Sequence, residues 1–242
     1  MMPPSASDEP RADPRRAYHV VDQFEAELAD YTGAPHAVAV NSCTNALLLA
    51  LTWERQQDVH GALELPTHTY VGVLQAALNA GYRVEWDSEP WRHEYVLLPT
   101  NVVDSARRIE QRMWARWLGW TGALVCLSFH SAKQLPLGRG GAILTDNEEA
   151  ADWFRVARMD GRPPGEPIEA TVFPGFHCPM PPDVAARGLD ILSRWNDRGY
   201  SPPPLPHEDY PDLSRIYAPL LPSEASERPT LHGWPARTGA GL

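Results

Sequence analysis

The 242-residue chain contains one lysine, Lys133, beside twenty arginines. It has three cysteines, an excess of acids that leaves a net charge of −10, and no long apolar run. Each scarcity excludes something. Cys43, Cys126 and Cys178 form neither a metal-ligand spacing nor an even disulfide set, so no metal site is expected and a reducing cytoplasm fits best. The net charge argues against a general nucleic-acid binder. No stretch approaches the roughly eighteen apolar residues that span a bilayer, so no membrane association is expected. The early arginines precede no hydrophobic segment, so no signal peptide is expected either.

What is abundant is proline, 25 residues unevenly placed. Four lie in 1–17, seven in 161–182 and nine in 201–242, leaving five for 18–160. Proline removes a backbone donor and clashes inside helices and central strands. Regular structure is therefore expected mainly in 18–160, with a shorter element near 183–196. Residues 1–17 read as a flexible arm, 18–200 as one α/β domain and 201–242 as a proline-rich tail. Hydrophobic residues at 43% can fill the domain core.

Val21, Phe24, Leu28 and Tyr31 fall on one helical face, with Asp22 and Glu25 resembling a capping box and Gly33 closing the end. Strand-like runs follow at 37–40, 63–65, 82–86, 95–98, 102–103, 123–129 and 142–144. Helical patterns lie at 46–51, 73–78 and 148–159. Strands alternating with helices predict a largely parallel sheet with flanking helices, whose ligands bind beyond the strands' carboxyl ends. Polar clusters occur at four such ends.

Asn41-Ser42-Cys43-Thr44 stands between a strand and a helix, where small polar side chains cap the free N–H groups of the first turn or those groups bind an anion. Val103-Asp104-Ser105 places a carboxylate at a strand end, either as a cap or to hold a protonated ring nitrogen. Ser128 to Leu135 surrounds Lys133 and runs into Gly138-Arg139-Gly140-Gly141. A chain that uses arginine almost everywhere has a lysine here. Unlike arginine, lysine can lose its proton and act as a nucleophilic amine. Arg107, Arg108, Arg112 and Arg116, with Ile109, Met113 and Trp117 at helical spacing, read either as a basic patch for an anionic substrate or as a solvated helix face.

Taken in order, these segments resemble the DegT/DnrJ/EryC1/StrS family of pyridoxal-phosphate-dependent sugar aminotransferases. The carriers are Phe24-Glu25 through Tyr31 and Gly33; Ser42-Cys43-Thr44-Asn45-Ala46-Leu47; Pro66-Thr67-His68-Thr69-Tyr70; and Val103-Asp104-Ser105-Ala106-Arg107. Ser128-Phe129 through Lys133, Leu135, Gly138, Gly140 and Gly141 come next, and Gly175-Phe176-His177 through Leu192 closes the series. The resemblance implies a fold type I large domain, a mostly parallel mixed sheet with flanking helices, and a truncated small domain in whose place the tail stands.

It also implies roles. Lys133 would form the Schiff base with pyridoxal 5′-phosphate and shuttle a proton, while Asp104 would pair with the ring nitrogen. Tyr70 would stack on the ring. Ser42, Cys43, Thr44 and Ser128 would hold the phosphate, and Arg107 would lie near the ring oxygen. His177 would reach the partner subunit's site, which implies a homodimer with shared active sites. The expected activity is amino transfer between an amino-acid donor and a keto-sugar or similar carbonyl. Alternatives are decarboxylase, lyase or replacement chemistry on an amino-acid-like group, as on a nucleotide or nucleic-acid base, and a non-catalytic partner subunit. The substrate would be a small or nucleotide-linked molecule, with a further chain as one way to complete the site.

Overall fold

A computed structural model describes residues 14–206 and 208–219. Helix α1 (Pro14–Thr32) is followed by strand β1 (His36–Val40), then α2 (Cys43–Gln56), β2 (Ala62–Pro66), α3 (Val71–Asn79) and β3 (Arg83–Asp87). Next come β4 (Tyr95–Val96), β5 (Val102–Asp104), β6 (Leu124–Ser128), β7 (Gly141–Thr145), α4 (Glu148–Ala157), α5 (Pro182–Arg198) and α6 (Leu213–Tyr217). The strand-like runs all form strands, and 95–98 and 102–103, which read as one strand or two, give two. Of the arm expected at 1–17, residues 1–13 lie outside the described residues, as do 207 and 220–242 of the tail.

Strand residues alternate between two apolar layers, as a two-residue side-chain period requires. Val38, Val40, Leu124, Cys126 and Ile143 join Leu47, Leu51, Leu74 and Phe154, so α2, α3 and α4 cover one face. Ala37, Ala39, Val125, Leu127, Ala142 and Leu144 join Phe24, Leu28, Tyr31, Val184 and Leu192, so α1 and α5 cover the other. The result is a three-layer α/β/α arrangement around strands buried on both sides.

The sheet is mixed. Its order is β1-β7-β6-β5-β4, with β2 and β3 forming a separate parallel pair. Pairing of β5 with β6 is also parallel, whereas β1·β7, β6·β7 and β4·β5 are antiparallel. The parallel share is smaller than strand–helix alternation suggests. Chain length explains this: β4 and β5 are five residues apart, and β6 and β7 are joined by a loop with no helix. Parallel neighbours need a longer crossover.

Two local expectations change. Asp22 and Glu25 do not cap α1, which begins at Pro14. Glu25 is buried and serves the core: its carboxylate accepts from the Ala39 N–H at 2.7 Å and pairs with Arg158, which also donates to the Ala39 carbonyl at 2.6 Å. Residues 107–117 are not an α-helix. Arg112 adopts φ 57°, which interrupts a right-handed helix, and only a 3-10 turn at Met113–Trp117 follows. Nor is the segment a free basic patch, because Arg108 and Arg116 pair with Glu94 and Glu110.

Gly33 does close α1, at φ 75° with its N–H on the Ala29 carbonyl. Proline at the start of α5 fits its first turn, where an N–H has no helical partner anyway.

Candidate active site

The site lies where β1, β5 and β6 end. Strand β1 delivers the chain to Ser42, whose hydroxyl accepts from the Asn45 N–H at 3.1 Å and caps α2. Cys43 and Thr44 occupy the first turn, whose N–H groups have no intrahelical carbonyl and sit at the positive end of the dipole. Gly141 presses against this turn. A Cβ there would lie 2.5 Å from the Cys43 nitrogen and 2.6 Å from the Ser42 carbonyl carbon. The close approach of β7 to the start of α2 therefore requires glycine.

Strand β5 ends in Asp104, which is buried. Its carboxylate accepts from the Ala106 N–H at 2.9 Å and the Tyr95 hydroxyl at 2.8 Å. Burial pushes the Asp104 carboxyl above its ordinary value. The Ala106 and Tyr95 hydrogen bonds and the Lys133 and Arg107 charges offset only part of that rise. The Tyr95 hydroxyl also shares a 2.6 Å hydrogen bond with Thr69. Burial and the Asp104 charge push its phenol well up, so it stays neutral and donates.

Lys133 lies in the loop between β6 and β7, with its side chain 15% exposed and its N–H on the His130 carbonyl. Ser42, Cys43, Thr44, Tyr70, Asp104, Arg107, Ser128 and Lys133 all line one cavity of about 280 Å³. Eight of the nine expected site residues thus converge from four separate segments. The ninth, His177, does not line this cavity. Its ring is 78% exposed and lies 3.1 Å from an Asp160 carboxylate oxygen.

Several lining residues were not anticipated. Thr69, Trp91, Arg139, Glu208 and Tyr210 complete the cavity wall, and Tyr95 supports Asp104 from behind. Tyr95 owes its place to the β4–β5 register, which sets it opposite Asp104 and which spacing along the chain does not specify. Glu208 and Tyr210 had no readable signal, since they belong to the proline-rich segment. Beside this cavity lies a second of about 850 Å³, lined by His68, Glu89, Trp91, Arg92, His93 and the same tail residues.

The family model for DegT/DnrJ/EryC1/StrS aminotransferases matches residues 12–91 and 100–198. The chain belongs to that family. The match breaks at 92–99, within the short connection from β3 to β5. Among family relatives, the spore coat polysaccharide biosynthesis protein SpsC of Bacillus subtilis is 28% identical over 73% of this chain and 57% of its own length. A UDP-4-amino-4,6-dideoxy-N-acetyl-beta-L-altrosamine transaminase of Campylobacter jejuni is 26% identical over 58% of this chain and 47% of its own. Solved structures share the fold. DesV of S. venezuelae, in complex with a ketimine intermediate, superposes at TM-score 0.55 with 23% identity, over 74% of this chain and 57% of that one. The sugar aminotransferase CalS13 of Micromonospora echinospora gives 0.58 with 20% identity, over 74% and 61%. The chain therefore spans about half to three-fifths of these relatives.

Proposed function

We propose that this chain holds pyridoxal phosphate in the Lys133 cavity and transfers an amino group between an amino-acid donor and a keto-sugar or similar carbonyl compound. The observation that carries the reading is the convergence of Lys133, Asp104 and the first turn of α2 on one cavity. The residues present fit the group. The cavity, at about 280 Å³, is close to the lower end of ordinary ligand pockets, and glycine at 141 leaves room for the cradle at Cys43. The relatives named as transaminases support the same chemistry.

When bound, pyridoxal phosphate supplies an electron sink for a carbanion at the amino-bearing carbon. The chain supplies the rest. Lys133 would hold the cofactor through its amine, and the same amine would be the group that moves the proton. Asp104 would hold the ring nitrogen and favour its protonated form, and Tyr95 and the Ala106 N–H fix the carboxylate's orientation. Cys43 and Thr44 present first-turn N–H groups to the phosphate, with Ser128 as a further donor. Tyr70, 58% exposed, is free to cover the ring face. His177, exposed on its own chain, completes the site across a homodimer.

The test is a half-reaction. Cofactor-loaded protein should convert an amino-acid donor into its 2-oxo acid and retain the labelled nitrogen in the cofactor. Carbon dioxide released without a 2-oxo acid product would overturn transamination.

A further inference from the structure

The described part of the proline-rich segment is a strap across the site. It is held at both ends. At one end, Gln111 N–H donates to Ser201 Oγ at 2.9 Å, and Gln134 Nε2 donates to the Pro202 and Pro203 carbonyls at 3.2 and 2.8 Å. At the other, Leu213 is buried and its N–H donates to the Thr67 carbonyl at 2.8 Å, while the His68 ring bonds the Tyr210 carbonyl at 2.9 Å. Tyr210 stacks on Trp91, with centroids 6.1 Å apart and planes 21° apart. Between these anchors the described residues have no regular structure, and Glu208 and Tyr210 belong to the wall shared by the two cavities.

That wall carries a carboxylate in an unusual setting. Arg107, its side chain 8% exposed, directs its guanidinium to Glu208 and to the Pro206 carbonyl. The Tyr210 hydroxyl donates to the same Glu208 oxygen at 2.7 Å, and Lys133 Nζ lies 3.9 Å from it. A largely buried guanidinium, an ammonium and a phenol donor therefore converge on one carboxylate oxygen. Two of the three, Arg107 and Lys133, belong to the domain body. Their occupant belongs to the strap and is half exposed.

A guanidinium so enclosed needs a counter-ion, and a carboxylate is the group whose geometry it matches. We infer that Arg107, with the Lys133 amine beside it in the cofactor-free chain, forms a subsite for the carboxylate of a small organic acid, and that Glu208 fills it until such a ligand displaces the strap. The subsite opens onto both cavities, so an acid bound there stands within reach of Lys133. Its use by an amino-acid donor rests on the function proposed above. The subsite itself does not need the cofactor.

The test accordingly uses the 242-residue, cofactor-free chain. L-glutamate and acetate are titrated by calorimetry into wild type, Glu208→Ala, Glu208→Gln and Arg107→Gln, with inorganic phosphate as a control. Emptying the subsite in Glu208→Ala should tighten carboxylate binding at least tenfold over wild type, and Glu208→Gln should tighten it less. Arg107→Gln should bind neither acid. In wild type, saturating L-glutamate should raise amide deuterium uptake across 201–213, a readout that stands even where a variant folds poorly. Equal affinity in wild type and Glu208→Ala, binding retained in Arg107→Gln, unchanged exchange in the strap, or phosphate binding in place of the carboxylates would overturn the proposal. Failure to bind pyridoxal phosphate would sink the function above and leave this subsite standing.

Discussion

Replacing Glu25 by alanine should cost the fold far more than an ordinary single substitution. Glu25 and Arg158 are 6% and 4% exposed, and together they tie α1, β1 and the end of α4 through both polar groups of Ala39. Removing the carboxylate leaves a guanidinium buried with one remaining partner and the Ala39 N–H with none. Breaking a buried pair in this way costs about 3–5 kcal/mol. For a chain of this size each kcal/mol moves the melting temperature by about 2–4 °C, so a fall of roughly 6–20 °C is expected. Glu25→Gln keeps an acceptor for Ala39 and should fall less. The pair Glu25→Leu with Arg158→Met removes both charges but leaves the N–H and the carbonyl of Ala39 without these partners, so it should recover only part of the loss. Melting followed by circular dichroism reads all three. A loss below about 1 kcal/mol in Glu25→Ala, or a double variant no more stable than the single one, would refute the reasoning.

Three further outcomes concern the site. Asp104 has a carboxyl raised above its ordinary 3.8 by burial. Its contribution to stability is thus present below that value and lost as pH rises through the folded-state value. Asp104→Asn should melt higher than wild type in cofactor-free protein at neutral pH, converge with it as pH falls toward 4, and bind pyridoxal phosphate more weakly. Tyr95→Phe removes a hydroxyl shared by Asp104 and Thr69, so it should cost about 1–3 kcal/mol in unfolding experiments and weaken cofactor binding in titrations. Gly141→Ala puts a methyl against three backbone atoms, the Leu127 carbonyl oxygen among them at 2.8 Å. It should cost about 1–3 kcal/mol in urea unfolding and reduce cofactor affinity, whereas an unchanged protein would mean that β7 can move freely.

Much of this architecture was legible because it depends on local patterns. Short continuous apolar runs at 37–40 and 142–144 fit strands covered on both faces, and small polar residues after Val40 predict a helix start. Since ligand sites in such sheets lie beyond strand ends, Ser42, Asp104 and Lys133 could be placed together without coordinates. Long-range pairing was less visible. Glu25 is three residues from Asp22 and reads as a cap, but its partner Arg158 is 133 residues away. Arg112 breaks the helical pattern of 107–117 through its backbone conformation, which spacing does not encode.

The strap was hidden for a different reason. Proline lacks a donor, so Pro202, Pro203 and Pro206 read as chain that cannot join ordered structure. Each keeps its carbonyl, however, and these carbonyls accept from Gln134 and Arg107.

With a single lysine in the chain, one experiment addresses the cofactor assignment directly. The purified protein is incubated with pyridoxal phosphate, treated with borohydride to fix any covalently held cofactor, digested and sequenced by mass spectrometry. A phosphopyridoxyl group is expected on the peptide containing Lys133, together with a visible absorption band before reduction that Lys133→Ala lacks. An unlabelled Lys133 peptide, or the same visible band in Lys133→Ala, would contradict it.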